Sequence, residues 1–135
     1  MAERYGKSMI NDFNNGRLAW TDWNILLDET GDPNYVGNLC FSPVHGNTQT
    51  GELTLTNTYY YIGHFSKFIR PEAKRITAFS SFNTLLSTAF VNTDGSLVVV
   101  IINQGETELD FSLSIASNTA HLSALAHSIQ TIVLK

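Results

Sequence analysis

Cysteine is almost absent from this chain. Cys40 stands alone, which excludes an internal disulfide and a zinc site built from cysteines. The four histidines, His45, His64, His121 and His127, show no tight spacing of the kind that holds a metal on a helix. No glycine-rich phosphate loop and no G-x-S-x-G nucleophile elbow occurs, so neither a metal nor an organic cofactor is expected. Basic residues are in the minority, 8 Lys+Arg against 12 Asp+Glu with a formal charge of −4. Nucleic-acid binding needs a basic stripe, and the one basic cluster, Arg70, Lys74 and Arg75, reads as a solvated face. No apolar run approaches the roughly 20 residues that a membrane helix requires. The opening "MAERYGKSMINDF" lacks the apolar centre of a signal peptide, although a secreted parent would carry one upstream. Internal repeats and low-complexity tracts are also missing.

What remains is a globular composition, 43% hydrophobic and 15% charged, with a length that fits one domain or a piece of a larger one. Tyr5, Met9, Ile10 and Phe13 fall near helical spacing, which predicts a helix over 2–15. "NNG" at 14–16 stops it, with Gly16 suited to a left-handed cap. The run "RLAWTDWNILLD" over 17–28 is apolar without clean alternation. That pattern predicts a strand covered on both faces, as in parallel α/β sheets.

The grammar then changes. "DETGDPN" (28–34) is turn chemistry, and Gly51 predicts a hairpin turn among β-favouring threonines and tyrosines. Tyr59 to Phe68 fits a helix or a strand equally. Asp94-Gly95 between two apolar runs predicts a hairpin. "ELDFSLSI" alternates, and "HSIQTIVLK" reads as a closing strand. The fold class expected is mainly β: an antiparallel sandwich preceded by a helix and a barrel-type strand. The divisions expected are 1–28, 29–74 and 75–135.

Six glutamates and six aspartates are available for acid–base work. Asp22 stands out because its neighbours are apolar, and burial would raise its pKa unless donors satisfy it. A hydrogen-bonded structural aspartate and a catalytic one both fit. Trp20 and Trp23, three residues apart on a strand, point to opposite faces. Both belong to a core, or one offers its indole face to the apolar C–H face of a sugar.

"AWTDWNILLDETGDPNYVGN" followed by "YYYIGHFSKFIRPEAKRI" resembles the family 30 glycoside hydrolases of the glucosylceramidase type. The likeness covers nearly the whole chain, with both motifs in order. It implies a (β/α)8 barrel with an attached β-sandwich, and a retaining mechanism that needs two glutamates about 5–5.5 Å apart. The matched region begins after both, so no residue here corresponds to a catalytic glutamate, and the chain alone is expected to be inactive. By the same likeness Trp23 lines the glucose subsite, Asn38 edges the pocket and Asp22 supports strand and loop. The implied partners are the remainder of the barrel, from the same gene or another chain, and a carbohydrate or glycolipid substrate. Such proteins are often secreted or lysosomal.

Three positions depart from the family pattern. Asp32 replaces a glycine of "GGP", Tyr35 stands where tryptophan or histidine is usual, and Phe41 where the animal enzyme has aspartate. A non-glycine at Asp32 would be strained if that position has positive φ. The sandwich also normally takes a strand from before the barrel. The rival class is a non-catalytic β-sandwich module, structural or weakly carbohydrate-binding.

Overall fold

The computed structural model describes residues 1–33 and 35–135; Asn34, the last residue of the predicted turn at 28–34, lies outside them. Helix α1 (Ala2–Asn14) is followed by β1 (Leu26–Asp28), β2 (Val44–Gly46), β3 (Leu53–Leu55) and helix α2 (Asn57–Ser66). Strands β4 (Lys74–Ile76), β5 (Leu85–Val91), β6 (Leu97–Asn103), β7 (Leu109–Ile115), β8 (Asn118–Ala124) and β9 (Ser128–Leu134) complete the chain. No helix is long and apolar enough to cross a membrane among the described residues.

α1 ends as "NNG" predicts. Gly16 has φ +85°, its N–H reaches the Phe13 carbonyl at 3.0 Å, and the Arg17 N–H reaches Asp12 at 3.0 Å. This pair of bonds is the Schellman closure, which satisfies carbonyls the helix leaves open. The ambiguous aromatic stretch becomes α2, because a helix brings Phe65 to the same face of the core as Met9 and Ile10 of α1.

β1, β2 and β3 form one small sheet, β4, β5, β6 and β9 a second in that order, and β7–β8 a third, two-stranded sheet. β6, "LVVVIIN", is covered on both sides. Val98, Val100 and Ile102 face the helices. Val99 and Ile101 face Phe111 of β7 and Ala124 of β8. An unbroken apolar run with both faces buried is the doubly covered pattern, here in an antiparallel sheet.

The expected strand at 17–28 is corrected by the structure. Only Leu26–Asp28 pairs, in parallel with Val44–Gly46, while Leu18 is 99% and Ile25 76% exposed. An extended segment needs neighbours to take its backbone donors and acceptors. Among the described residues, β2 supplies such a neighbour over three residues alone.

A contact spanning 124 residues ties α1 to the sandwich. His127, at φ +50°, is within 3.1 Å of Glu3 through Nδ1 and 3.1 Å of Glu106 through Nε2. The Tyr61 hydroxyl donates to its carbonyl at 3.2 Å. The hydrogen bonds to Glu106 and Glu3 raise the imidazole pKa above its ordinary value. A raised folded pKa stabilises the fold below the unfolded value, about 6.5, and loses that contribution as pH climbs through the folded value. The stabilisation due to His127 is therefore expected to fade as pH climbs from about 6.5 through the raised value, while His64, whose pKa burial lowers, acts in the opposite sense over the same range. The His127 part is read as the gap in Tm between the chain and His127→Asn, which tolerates the left-handed backbone; in a pH series of thermal melts that gap is expected to narrow as pH rises.

Candidate functional site

The segment "AWTDWN" lies between α1 and β1, and α1 organises it. Trp20 is half-buried and meets the Tyr5 ring edge-on at 5.4 Å. Trp23 is 85% exposed. The two indoles thus take opposite environments. Asp22, for all its apolar neighbours in sequence, is exposed. It lies outside the apolar layer, where one carboxylate oxygen accepts two donors: the Tyr5 hydroxyl at 3.2 Å and the Trp23 backbone N–H at 2.9 Å. A carboxylate held by two donors, one of them main chain, acts on the shape of the segment.

The loop after β1 is closed by its own polar groups. Asp28 Oδ1 accepts from Thr30 Oγ1 at 2.7 Å, from the Thr30 N–H at 2.8 Å and from the Asp32 N–H at 2.9 Å. Those bonds, the Thr30 hydroxyl foremost, hold the Asp28 carboxyl below its usual pKa. Glu29 accepts from the Thr48 N–H and hydroxyl at 2.9 and 2.8 Å, which ties the loop to the β2–β3 turn. His45 Nε2 accepts the Ser42 N–H at 3.3 Å, so the proton sits on Nδ1 and is donated to the Asp28 carbonyl at 2.7 Å. An imidazole satisfied at both nitrogens by main chain is a spacer between β1 and β2.

Asn38 is exposed on this loop, and its carbonyl accepts from Cys40 Sγ at 3.1 Å. Gly31, at φ +93°, takes the left-handed turn of the loop, and Asp32 is not among the positive-φ residues. The aspartate that replaces a family glycine is therefore unstrained in this respect. Tyr35 is fully exposed and Phe41 half-exposed, with Phe41 packed 5.3 Å from the His45 ring.

Between this segment and α2 lies an open groove of about 770 Å³, with walls that include Trp20, Asp22, Tyr59, Tyr60, Lys67 and Phe68. His64 of α2 also lines this groove, whereas His121 lies elsewhere. His64 meets the Thr131 hydroxyl at 2.9 Å, and burial lowers its pKa. His121 meets Ser112 at 3.0 Å on the outer face of β7–β8. Among the described residues, no group of three His, Cys, Asp or Glu side chains is arranged to hold a metal. Tyr5 escaped the sequence reading because its periodicity marked it as a core position. Only the length of its side chain hinted at a second contact.

A helix, a strand parallel to its neighbour and a loop closed over the strand end, all feeding a separate antiparallel sandwich, are decided by comparison with known proteins. Residues 1–69 match the TIM-barrel domain of glycosyl hydrolase family 30. The chain belongs to that family. Residues 72–132 match the family 30 beta sandwich domain. This family 30 chain is 34% identical to the lysosomal acid glucosylceramidase of mouse, Mus musculus, over 82% of its own length and 22% of that protein. The crystal structure of SrfJ from Salmonella typhimurium is similar at a TM-score of 0.96 and 32% identity, over 98% of this chain and 30% of that one. An endo-β1,6-glucanase is similar at a TM-score of 0.87 and 25% identity, over 96% and 30%. The family 30 chain thus spans about a fifth of the mouse relative's length, a barrel portion followed by the sandwich.

Proposed function

We propose that this chain is the C-terminal portion of a glucosylceramidase-like retaining glycoside hydrolase. In this reading residues 1–28 are the last helix–strand unit of the barrel, 29–74 the connection, and 75–135 the sandwich. The remainder of the barrel, in the same polypeptide or another, supplies the two glutamates. The completed enzyme cleaves a β-linked glucose or related sugar from a glycolipid-like aglycone. Trp23 packs on the sugar ring, Asn38 hydrogen-bonds at the pocket edge, and Asp22 supports both segment and loop.

The observation that carries this reading is the apolar face left without partners beside the groove. Trp23 is 85% exposed, Ile25 76%, Leu26 52%, Tyr60 54% and Tyr59 42%. Ile25, Tyr59 and Tyr60 line the same groove, and an exposed apolar patch of this kind marks a surface built to be covered. The relatives named glucosylceramidase support the substrate class.

Mixing experiments test it. The chain alone is expected to give no turnover of an aryl β-glucoside. Turnover is expected once a chain carrying the rest of the barrel, with both glutamates, is added. Trp23→Ala in the mixture is expected to lower kcat/KM by roughly tenfold to thirtyfold, the loss of one aromatic wall. Robust turnover by the 135-residue chain alone overturns the reading. Sugar binding without turnover in any mixture favours a binding module.

A further inference from the structure

The Trp23 indole stands in solvent, so its aim depends on the backbone beneath it. An exposed aromatic side chain on an irregular segment has little packing to choose its direction, and the main chain at that residue must be held by other means. The Trp23 N–H is held by Asp22 Oδ1 at 2.9 Å. Asp22 is exposed, and an exposed aspartate rotates freely between staggered rotamers unless a second group selects one. That group is Tyr5, 17 residues earlier on α1, with its hydroxyl 3.2 Å from the same oxygen.

We propose that Tyr5 is a positioning residue for Trp23: its hydroxyl selects the Asp22 rotamer that pins the Trp23 main chain, so α1 sets the aim of the indole. The proposal rests on the reading of Trp23 as a sugar wall, and adds where the rigidity of that wall originates. Two contacts from one side chain make Tyr5 suited to this. Its ring edge is fixed against Trp20 at 5.4 Å, so the hydroxyl has little freedom left and its hydrogen bond costs little ordering entropy. The phenol is a donor at neutral pH in any case, and burial and the Asp22 charge both raise its pKa further. Trp20 and Trp23 are thereby two ends of one unit, one indole clamped by the tyrosine ring and the other oriented through the tyrosine hydroxyl.

The test uses the isotope-labelled full chain and the variants Tyr5→Phe, Asp22→Ala, Asp22→Asn and Trp23→Ala. Tyr5→Phe keeps the ring on Trp20 and deletes only the oxygen. It is expected to leave the Trp20 indole resonance in place and Tm within about 1 °C. It is also expected to speed exchange of the Trp23 backbone amide by roughly fivefold or more. Asp22→Ala, at an exposed position, is expected to release the same amide. Asp22→Asn, which keeps an acceptor oxygen, is expected to restore most of the protection. Titration with methyl β-D-glucoside, read at the backbone amides of residues 19–28 so that Trp23→Ala can be titrated too, is expected to show a dissociation constant raised roughly threefold or more by Tyr5→Phe.

Unchanged exchange and relaxation of the Trp23 amide in Tyr5→Phe overturns the proposal, whatever the sugar does. Should Tyr5→Phe fail to fold, unchanged Trp23 amide exchange in Asp22→Ala overturns it instead. Release of the amide, with glucoside binding indifferent to Trp23→Ala, leaves the positioning role standing and removes the sugar wall.

Discussion

Asn103→Ala is expected to lower the unfolding free energy by about 3–5 kcal/mol, a large effect for a single polar truncation. Asn103 ends β6 and is 1% exposed. Its Nδ2 donates to the carbonyls of Thr107, Ala124 and Leu125 at 2.9, 3.0 and 3.1 Å. Its Oδ1 accepts the Gly105 N–H at 2.9 Å. One amide therefore closes the β6–β7 loop and ties it to the end of β8. Removing it strands main-chain groups that have given up water, at about 1–3 kcal/mol for each that stays dry. Urea titration checks this: the midpoint falls while the slope holds, because the surface exposed on unfolding is unchanged. Asn103→Asp is expected to be no better, since a carboxylate accepts only and would face three carbonyls. A loss below about 1 kcal/mol would show that water replaces the side chain.

Gly31→Ala is expected to cost the loop about 2–4 kcal/mol. Two penalties add there. The backbone is left-handed at φ +93°, and an added Cβ would lie 2.4 Å from the Cys40 carbonyl oxygen and 3.0 Å from its nitrogen. Neither atom is the free end of a side chain. Both belong to the main chain, and the Cys40 N–H is itself bonded to the Gly31 carbonyl at 3.1 Å. Relief requires the loop to open. The cost is expected to appear as local opening, because among the described residues neither core cluster draws on this turn. Amide exchange is expected to accelerate at Asp32 and Cys40 while the strands β5, β6 and β9 keep their protection. Gly37→Ala is the control, with φ +65° and nothing within 4 Å of the added methyl. It is expected to cost only about 1 kcal/mol. Equal effects of the two substitutions would show that φ alone matters and that the Cys40 contact yields. If Asn38 edges the sugar pocket, turnover of the completed enzyme falls further with Gly31→Ala than with Gly37→Ala.

Where the sequence read well, the information was local. The Tyr5, Met9, Ile10 and Phe13 spacing placed α1, and "NNG" placed its end. Asp94-Gly95 placed the β5–β6 hairpin, and the alternation of "ELDFSLSI" placed β7. Each depends on residues within a few positions of one another. Periodicity reports that an apolar residue seeks cover, without naming what covers it. That is why "RLAWTDWNILLD" read as a doubly covered strand and appears mostly exposed, while "LVVVIIN" has both faces buried. It is also why Tyr59 to Phe68 stayed undecided until Phe65 met Met9 and Ile10. β8 escaped notice because its residues are mostly exposed, and its place comes from pairing with β7 from Leu109↔Ala124 to Ile115↔Asn118.

By itself, the sequence determined the family motifs, the absence of a basic stripe and the existence of α1, the hairpins and the closing strand. These are matters of composition and of neighbours a few residues apart, which local propensity and burial demand settle. Only the tertiary structure decided that Tyr5 reaches Asp22, that His127 joins Glu3 to Glu106, and that Asn103 closes two loops. Each joins side chains to groups on separate elements. Their meeting depends on how helices and sheets pack, a choice made by summed burial across the whole chain, with no trace in any single window.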